Sequence, residues 1–242
     1  MLNKRSKQVR RDAIKISKEN GGYHYGGSFS CAEILINIFD NILKKEDRFI
    51  LSKGHGCWVY YVILRELGYN PTLEGHPHYE PQNGIFCTAG SMGHGLPTAV
   101  GMALARKLKK DYSKVFVLVG DGECQEGTTW ESILIASKLK LNNLIVIVDN
   151  NKIQGSGFVE DILPVDRVLI ETARSAYWNV KEIDGHNEDI LNINFEESNT
   201  SPMLIVANTI KGKGVSFMEN IPKWHSNWLG GDLEKQALEE LS

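Results

Sequence analysis

The sequence predicts an α/β fold, a mainly parallel sheet with helices on both faces, and three observations carry that prediction. Val115-Phe116-Val117-Leu118-Val119, Leu144-Ile145-Val146-Ile147-Val148 and Met203-Leu204-Ile205-Val206-Ala207 are apolar runs without alternation, the pattern of strands covered on both sides. Helical segments separate these runs, as crossovers between parallel strands require. The 242 residues, with a formal charge of −3 and 42% hydrophobic residues, suit one domain over 1–242 with a tail from about 210.

The elements follow in order. Lys4, Arg5, Lys7, Arg10, Arg11 and Lys15 crowd a segment whose apolar Val9, Ala13, Ile14 and Ile16 keep helical spacing, which predicts a helix with a solvated basic face. Asp12 and Glu19 interrupt it, so it does not read as a targeting peptide. Ser30-Cys31-Ala32-Glu33 reads as a capping box opening a helix through Ile34, Leu35, Ile38 and Ile42. Arg48-Phe49-Ile50-Leu51 is a short strand, followed by the loop Ser52-Lys53-Gly54-His55-Gly56 and a helix carrying Tyr60, Tyr61, Ile63 and Leu64. Residues 68–92 are rich in Gly, Pro, His and Asn, and a long ordered loop inside a domain is usually functional. Gly93 to Lys110 returns to helix, with Ala99, Gly101, Ala103 and Ala105 permitting close packing. Beyond the strand–helix–strand unit of 115–155 come a helix over Asp166–Tyr177, a strand over Trp178–Ile183, a short helix over Glu188–Asn194 and the apolar strand at 203–207. The tail carries Trp224, His225 and Trp228, then a polar helix from Asp232.

Chemistry concentrates where strands end. Gly120-Asp121-Gly122 and Asp149-Asn150-Asn151 each follow an apolar strand, and ligands in parallel sheets sit just beyond such carboxyl ends. If the two strands are neighbours, Asp121 and Asn151 converge, and their oxygens suit a hard cation such as Mg²⁺ holding a phosphate group. A plain tight turn is the alternative for Gly-Asp-Gly taken alone. His24, His55, His76 and His225 fall in loops at strand ends or helix starts, where several imidazoles in one cleft suit proton transfer to and from sugar hydroxyls. His78 and His94 are weaker candidates, His94 lying beside the glycine-rich turn or capping the following helix, and His186 reads as structural. Lys53 and Lys213 read as either phosphate contacts or solvated surface lysines. Cys31, Cys57, Cys87 and Cys124 are scattered without metal or disulfide spacing, which points to a reducing compartment. The balanced charge gives no nucleic-acid surface and no run is long enough to span a bilayer, so a soluble, cytoplasmic protein is expected.

Gly120-Asp121-Gly122, a gap of 26 residues and Asp149-Asn150-Asn151 closely resemble the thiamine-diphosphate motif of the transketolase-like enzymes. The resemblance implies a thiamine-diphosphate-binding fold in which Asp121, Asn151 and the main-chain carbonyl of Ile153 hold Mg²⁺ (or Ca²⁺ or Mn²⁺). Gly120 and Gly122 then bind the cofactor, and Glu126 supports its cradle. It extends over almost the whole chain. His24, in Gly22-Tyr23-His24-Tyr25-Gly26-Gly27-Ser28, matches the family's Gly-His-Pro-Gly-Gly-Ser histidine, which approaches sugar hydroxyls, and His55 matches one near the diphosphate. His76 matches the residue holding the donor's first-carbon hydroxyl and carbonyl, Gly90 and Met92 lie in the matching cofactor turn, and His225 matches the C-terminal substrate histidine. By this resemblance His24, His76 and His225 are catalytic, and the reaction moves a glycolaldehyde unit from a ketose or ketose phosphate to an aldose.

In this family the glutamate that activates the cofactor comes from a pyrimidine-binding domain, for which this sequence has no room. The expectation is therefore a separate C-terminal subunit supplying that glutamate, an α₂β₂ assembly, and no activity alone. Two other readings stay open: the α-subunit of a 2-oxo-acid dehydrogenase or decarboxylase, which the histidine loops disfavour, and a non-catalytic phosphate- or nucleotide-binding module. Tyr25 stands where proline is usual, Ser226 where glycine is common, and the loop after Leu73 is short. These departures leave open central pentose-phosphate metabolism or a dedicated pathway for an unusual sugar.

Overall fold

Five strands form one parallel sheet in the computed structural model, which describes residues 2–196 and 200–242. They are β1 (Arg48–Leu51), β2 (Val115–Gly120), β3 (Leu144–Asn150), β6 (Asn179–Asp184) and β7 (Met203–Asn208), in the order β1-β2-β3-β7-β6. A small antiparallel hairpin, β4 (Ile153–Gln154) with β5 (Gly157–Phe158), follows β3.

β2 and β3 are neighbours, in parallel register from Val115 opposite Leu144 to Gly120 opposite Asp149. Every residue of both is buried. Side chains of a strand point alternately to the two faces, and the core divides accordingly. Phe116, Leu118, Ile145, Ile147 and Ile205 join one apolar cluster, while Val115, Val117, Val146, Val148 and Val206 join the other. The first cluster includes residues of α1 (Lys4–Lys18), α3 (Ala32–Asn37), α4 (Cys57–Glu66) and α9 (Asp232–Glu240). The second includes residues of α5 (Gly95–Leu108), α6 (Gly127–Lys138) and α8 (Asp166–Ser175). Two short ones, α2 (Tyr25–Ser30) and α7 (Val159–Ile162), complete the described α-helices. No helix is long and apolar enough to cross a membrane among the described residues.

Two local expectations give way to tertiary partners. Ser30 ends α2 instead of capping a helix, and its hydroxyl donates to Asp149 Oδ2 at 2.5 Å. Glu33 is drawn to Arg10, which makes two bonds to its carboxylate, 2.6 and 2.9 Å. A bidentate charge-assisted pair is stronger than a bond to one helix-end N–H, so the capping box does not form. Arg10 is accordingly fully buried, not part of a solvated basic face. The segment read as a helix over Glu188–Asn194 is a single 3₁₀ turn over Asp189–Asn192. Tyr25 occupies the first position of α2, a place that tolerates proline because its N–H has no partner within the helix. Its hydroxyl shares a 2.7 Å hydrogen bond with Ser17, tying α2 to α1.

Candidate active site

The ends of β2 and β3 build the first half of the site. Asp121 Oδ1 accepts the Gly122 N–H at 2.8 Å and Oδ2 accepts the Lys152 N–H. Burial, then the charge of Asp149, pushes the Asp121 carboxyl up to about 6. Asn151 donates Nδ2–H to Asp149 Oδ2 (3.0 Å) and Ser30 Oγ (3.3 Å), while its Oδ1 accepts the Ile153 N–H at 3.1 Å. An ionised carboxylate can only accept, so Asp149 fixes which way the Asn151 amide points.

Asp149 is itself held by Lys53, and both side chains are wholly excluded from solvent. Burial opposes both charges, yet the pairing outweighs it, driving Lys53 up and Asp149 down. Lys53 is thus neither a surface lysine nor a free phosphate ligand. Its ammonium also donates to the Gly27 carbonyl at 2.9 Å.

Glu123, which the sequence did not single out, braces the Gly-Asp-Gly turn. It accepts from Gly93 N–H at 3.0 Å, from Gly120 N–H at 3.1 Å and from the Ser52 hydroxyl. Glu126 was the expected support of the cradle. The 3₁₀ turn over Gly122–Gln125 turns Glu123 inward and leaves Glu126 exposed at the N-cap of α6, outside the cleft wall.

Four loops bring the histidines together. The His24 ring lies 5.9 Å from His55, 5.4 Å from His76 and 5.4 Å from His225, centroid to centroid, and His55 lies 4.8 Å from His225. His24 adopts a left-handed backbone, φ 65°, and its Nδ1 sits 2.6 Å from the His225 carbonyl. A carbonyl only accepts, so Nδ1 carries the hydrogen and Nε2 keeps a lone pair when the ring is neutral. The His55 ring packs against Gly27, where a Cβ would strike it. Burial lowers the pKa of His24, His55 and His76, and burial with Lys211 takes His225 down to about 3. Neutral imidazoles at pH 7 are proton acceptors.

This depression has a consequence for the ligand-free chain. Imidazole in an unfolded chain titrates near about 6.5, whereas His225 in the fold does so only near 3. Between those values the unfolded chain binds a proton that the folded one refuses, so stability falls as pH drops below about 6.5. Replacing His225 by asparagine is expected to shrink the stability lost between pH 7 and pH 5 by about 1 kcal/mol, after allowance for partial exposure. Urea titrations at the two pH values measure the difference.

A second group missed in the sequence is Lys211. It is completely buried, and its ammonium donates to the Ile153 carbonyl at 2.6 Å and to His225 Nδ1 at 2.9 Å. Burial, with the nearby charge of Lys53, brings it down to about 8. In Lys211-Gly212-Lys213 the sequence offered two lysines. Lys213 instead stands 3.4 Å from Glu219 and only partly buried. His78 is exposed beside Glu74 at 3.0 Å, and His94 is exposed at the N-cap of α5 without capping it through its side chain.

A cleft of about 320 Å³ unites these parts. Its walls include His24, His55, His76 and His225, the turn residues Gly90, Met92, Gly120, Asp121 and Gly122, and Asn151 and Ile153. Gly90 has φ 111°, a conformation that favours glycine.

Residues 3–241 match the family model described as transketolase, thiamine diphosphate binding domain. The chain belongs to the transketolase N-terminal family. It is 38% identical over 264 residues to one of the named subunits of the apulose-4-phosphate transketolase of Actinobacillus succinogenes, covering 99% of this chain and 95% of the relative. It is 34% identical over 257 residues to the 6-deoxy-6-sulfo-D-fructose transketolase subunit SqwG of a Clostridium species, covering 96% of this chain and 93% of that one. Among solved structures, transketolase from Leishmania mexicana superposes with a TM-score of 0.86 at 24% identity, which shows the fold. That match covers 98% of this chain and 41% of the solved one, so this transketolase-family chain spans about two-fifths of the larger enzyme.

Proposed function

We propose that this chain is the N-terminal subunit of a two-chain transketolase, transferring a glycolaldehyde unit from a ketose or ketose-phosphate donor to an aldose acceptor. The observation that carries the reading is the single cleft in which oxygen donors at two adjacent strand ends meet four histidines with lowered pKa. The donors Asp121, Asn151 Oδ1 and the Ile153 carbonyl are all hard oxygens, the type that suits Mg²⁺, Ca²⁺ or Mn²⁺ and not a soft metal. They would suit a hard cation that holds a diphosphate, beside Gly120 and Gly122 in the cleft wall. Thiamine diphosphate, when bound, supplies the carbanion stabilisation that no side chain offers. His55 faces the diphosphate side and His76 holds the donor's first-carbon hydroxyl and carbonyl. His24, neutral at pH 7 with a bare Nε2, takes the proton from the donor's C3 hydroxyl and returns it to the acceptor. His225, whose Nδ1 accepts from Lys211 and whose Nε2 therefore carries the hydrogen, donates to a sugar oxygen.

Relatives that are named as single subunits, matched along nearly their whole length, support a partner chain. That partner would bring the pyrimidine-binding domain and the activating glutamate, in an α₂β₂ assembly with the cofactor between subunits. The same relatives act on phosphorylated or sulfonated sugars by name, which favours a sugar with an anionic tail here. Purified alone with Mg²⁺ and thiamine diphosphate, the chain is expected to transfer no glycolaldehyde. Mixing with a C-terminal transketolase subunit should restore transfer and give a mass of two copies of each. Robust turnover by the single chain would sink the proposal.

A further inference from the structure

His186 lies outside the cleft, in the turn between β6 and the 3₁₀ turn at Asp189–Asn192, yet its bonds lead into the site. Its Nδ1 is 2.9 Å from Glu33 Oε2, and its Nε2 accepts the Ile210 N–H at 2.7 Å. A carboxylate only accepts and a backbone N–H only donates, so a single neutral tautomer, Nδ1–H with a bare Nε2, satisfies both. Glu33 is held in turn by the buried Arg10.

The chain leaving β7 shows what this bond secures. Asn208 is the last residue of the sheet ladder. Its side chain accepts from Asn150 Nδ2 at 2.9 Å, and the Thr209 hydroxyl donates to Asp149. Ile210 N–H is then the first main-chain donor whose acceptor is a side chain, and the next residue is Lys211. Lys211 is a buried cation whose two contacts, 2.6 Å to Ile153 O and 2.9 Å to His225, a displacement of about 1 Å would break.

We propose that His186 is a positioning residue: by accepting the Ile210 N–H it sets where Lys211 emerges and so holds the ammonium against the Ile153 carbonyl and His225. Its importance to cofactor binding rests on the reading of the cleft given above; the placement of Lys211 does not. Fastening α1 and α3 to the sheet would also be served by the Arg10–Glu33–His186 chain, and that simpler role needs no bond to Ile210 in particular.

The two ring nitrogens can be replaced separately. In His186→Gln the amide oxygen reaches the place of Nε2, whereas in His186→Asn it reaches only that of Nδ1. Ile190→Ala, a core truncation in the adjoining turn, serves as a control that lowers stability while keeping the His186 acceptor of the Ile210 N–H. Amide hydrogen exchange of the peptide 208–214 is measured in the ligand-free chain, and Mg²⁺–thiamine-diphosphate affinity by calorimetry on the chain assembled with its partner subunit. His186→Asn is expected to speed exchange and weaken affinity by about tenfold each, the order of one lost hydrogen bond. His186→Gln should stay within about threefold of the unchanged protein, and Ile190→Ala should lower the melting temperature while leaving both readouts in place. If Gln and Asn behave alike, or Ile190→Ala matches His186→Asn, the positioning role is overturned. If the unchanged assembly binds no thiamine diphosphate, the functional reading fails instead, and exchange alone decides whether His186 sets the Lys211 segment.

Discussion

Asp121→Asn is expected to abolish cofactor binding while leaving the ligand-free fold nearly as stable as before. The Asp121 carboxyl titrates near 6 in the fold because burial and Asp149 both oppose its charge. Against an ordinary value near about 3.9, that upward shift means the ionised group at pH 7 costs the fold on the order of 2–3 kcal/mol. Asparagine removes this cost. It also turns one of the two oxygens into NH₂, which must face the N–H of either Gly122 or Lys152, a clash of donors worth about 1–3 kcal/mol. The two effects are opposite and similar, so the melting temperature should move little. Function is not buffered in this way, because Asp121 is the one anionic donor in the proposed metal set. The assembled enzyme should lose activity by about a thousandfold, the order that several kcal/mol of lost cation stabilisation implies. Thermal scans with and without Mg²⁺–thiamine diphosphate, run on the assembled enzyme, test both halves. A variant that keeps its ligand-induced shift would remove Asp121 from the metal set.

The reach of the sequence follows from the range of the interactions involved. Unbroken apolar runs announced the buried strands, and the Gly-Asp-Gly and Asp-Asn-Asn segments put Asp121 and Asn151 at strand ends; that the two strands are neighbours comes from the sheet itself. The resemblance placed the histidines, and their convergence within 6 Å of His24 is a matter of four loops meeting, which spacing along the chain does not encode. What escaped was charge pairing at long range. Lys53 and Asp149 are 96 positions apart, so a lysine beside a loop histidine reads as either a phosphate contact or a solvated side chain. Arg10 and Glu33, 23 apart, took the glutamate from a well-formed capping-box pattern. Glu123 and Glu126 differ only in which way one 3₁₀ turn faces them, and Lys211 and Lys213 likewise differ in burial and not in composition.

The largest loss of stability is expected from Lys53→Met. The substitution leaves Asp149 ionised in a place with no access to water and with no cation in contact, and breaking such a pair costs about 3–5 kcal/mol. Asp149 retains Ser30, Asn151 and Thr209 as donors, which moderates the loss without supplying the missing charge. Adding Asp149→Asn removes the stranded charge, so the double variant should recover at least about half of that loss, because deleting both partners of a buried pair is far milder than deleting one. Urea unfolding of the two single variants and the double closes the cycle; a cost below about 1 kcal/mol for Lys53→Met would show that the pair does not carry this role. Recovered stability should not bring recovered binding. Asp149 can only accept, and this is what turns the Asn151 oxygen toward Ile153 N–H and the proposed cation position. An asparagine at 149 can donate as well, so only the Ile153 N–H still calls for the Asn151 oxygen on its present side, and a turned amide would present NH₂, a group that cannot bind a cation. The double variant should therefore fold and still bind Mg²⁺–thiamine diphosphate weakly, separating the pair's contribution to the fold from its orientation of the ligand beside it.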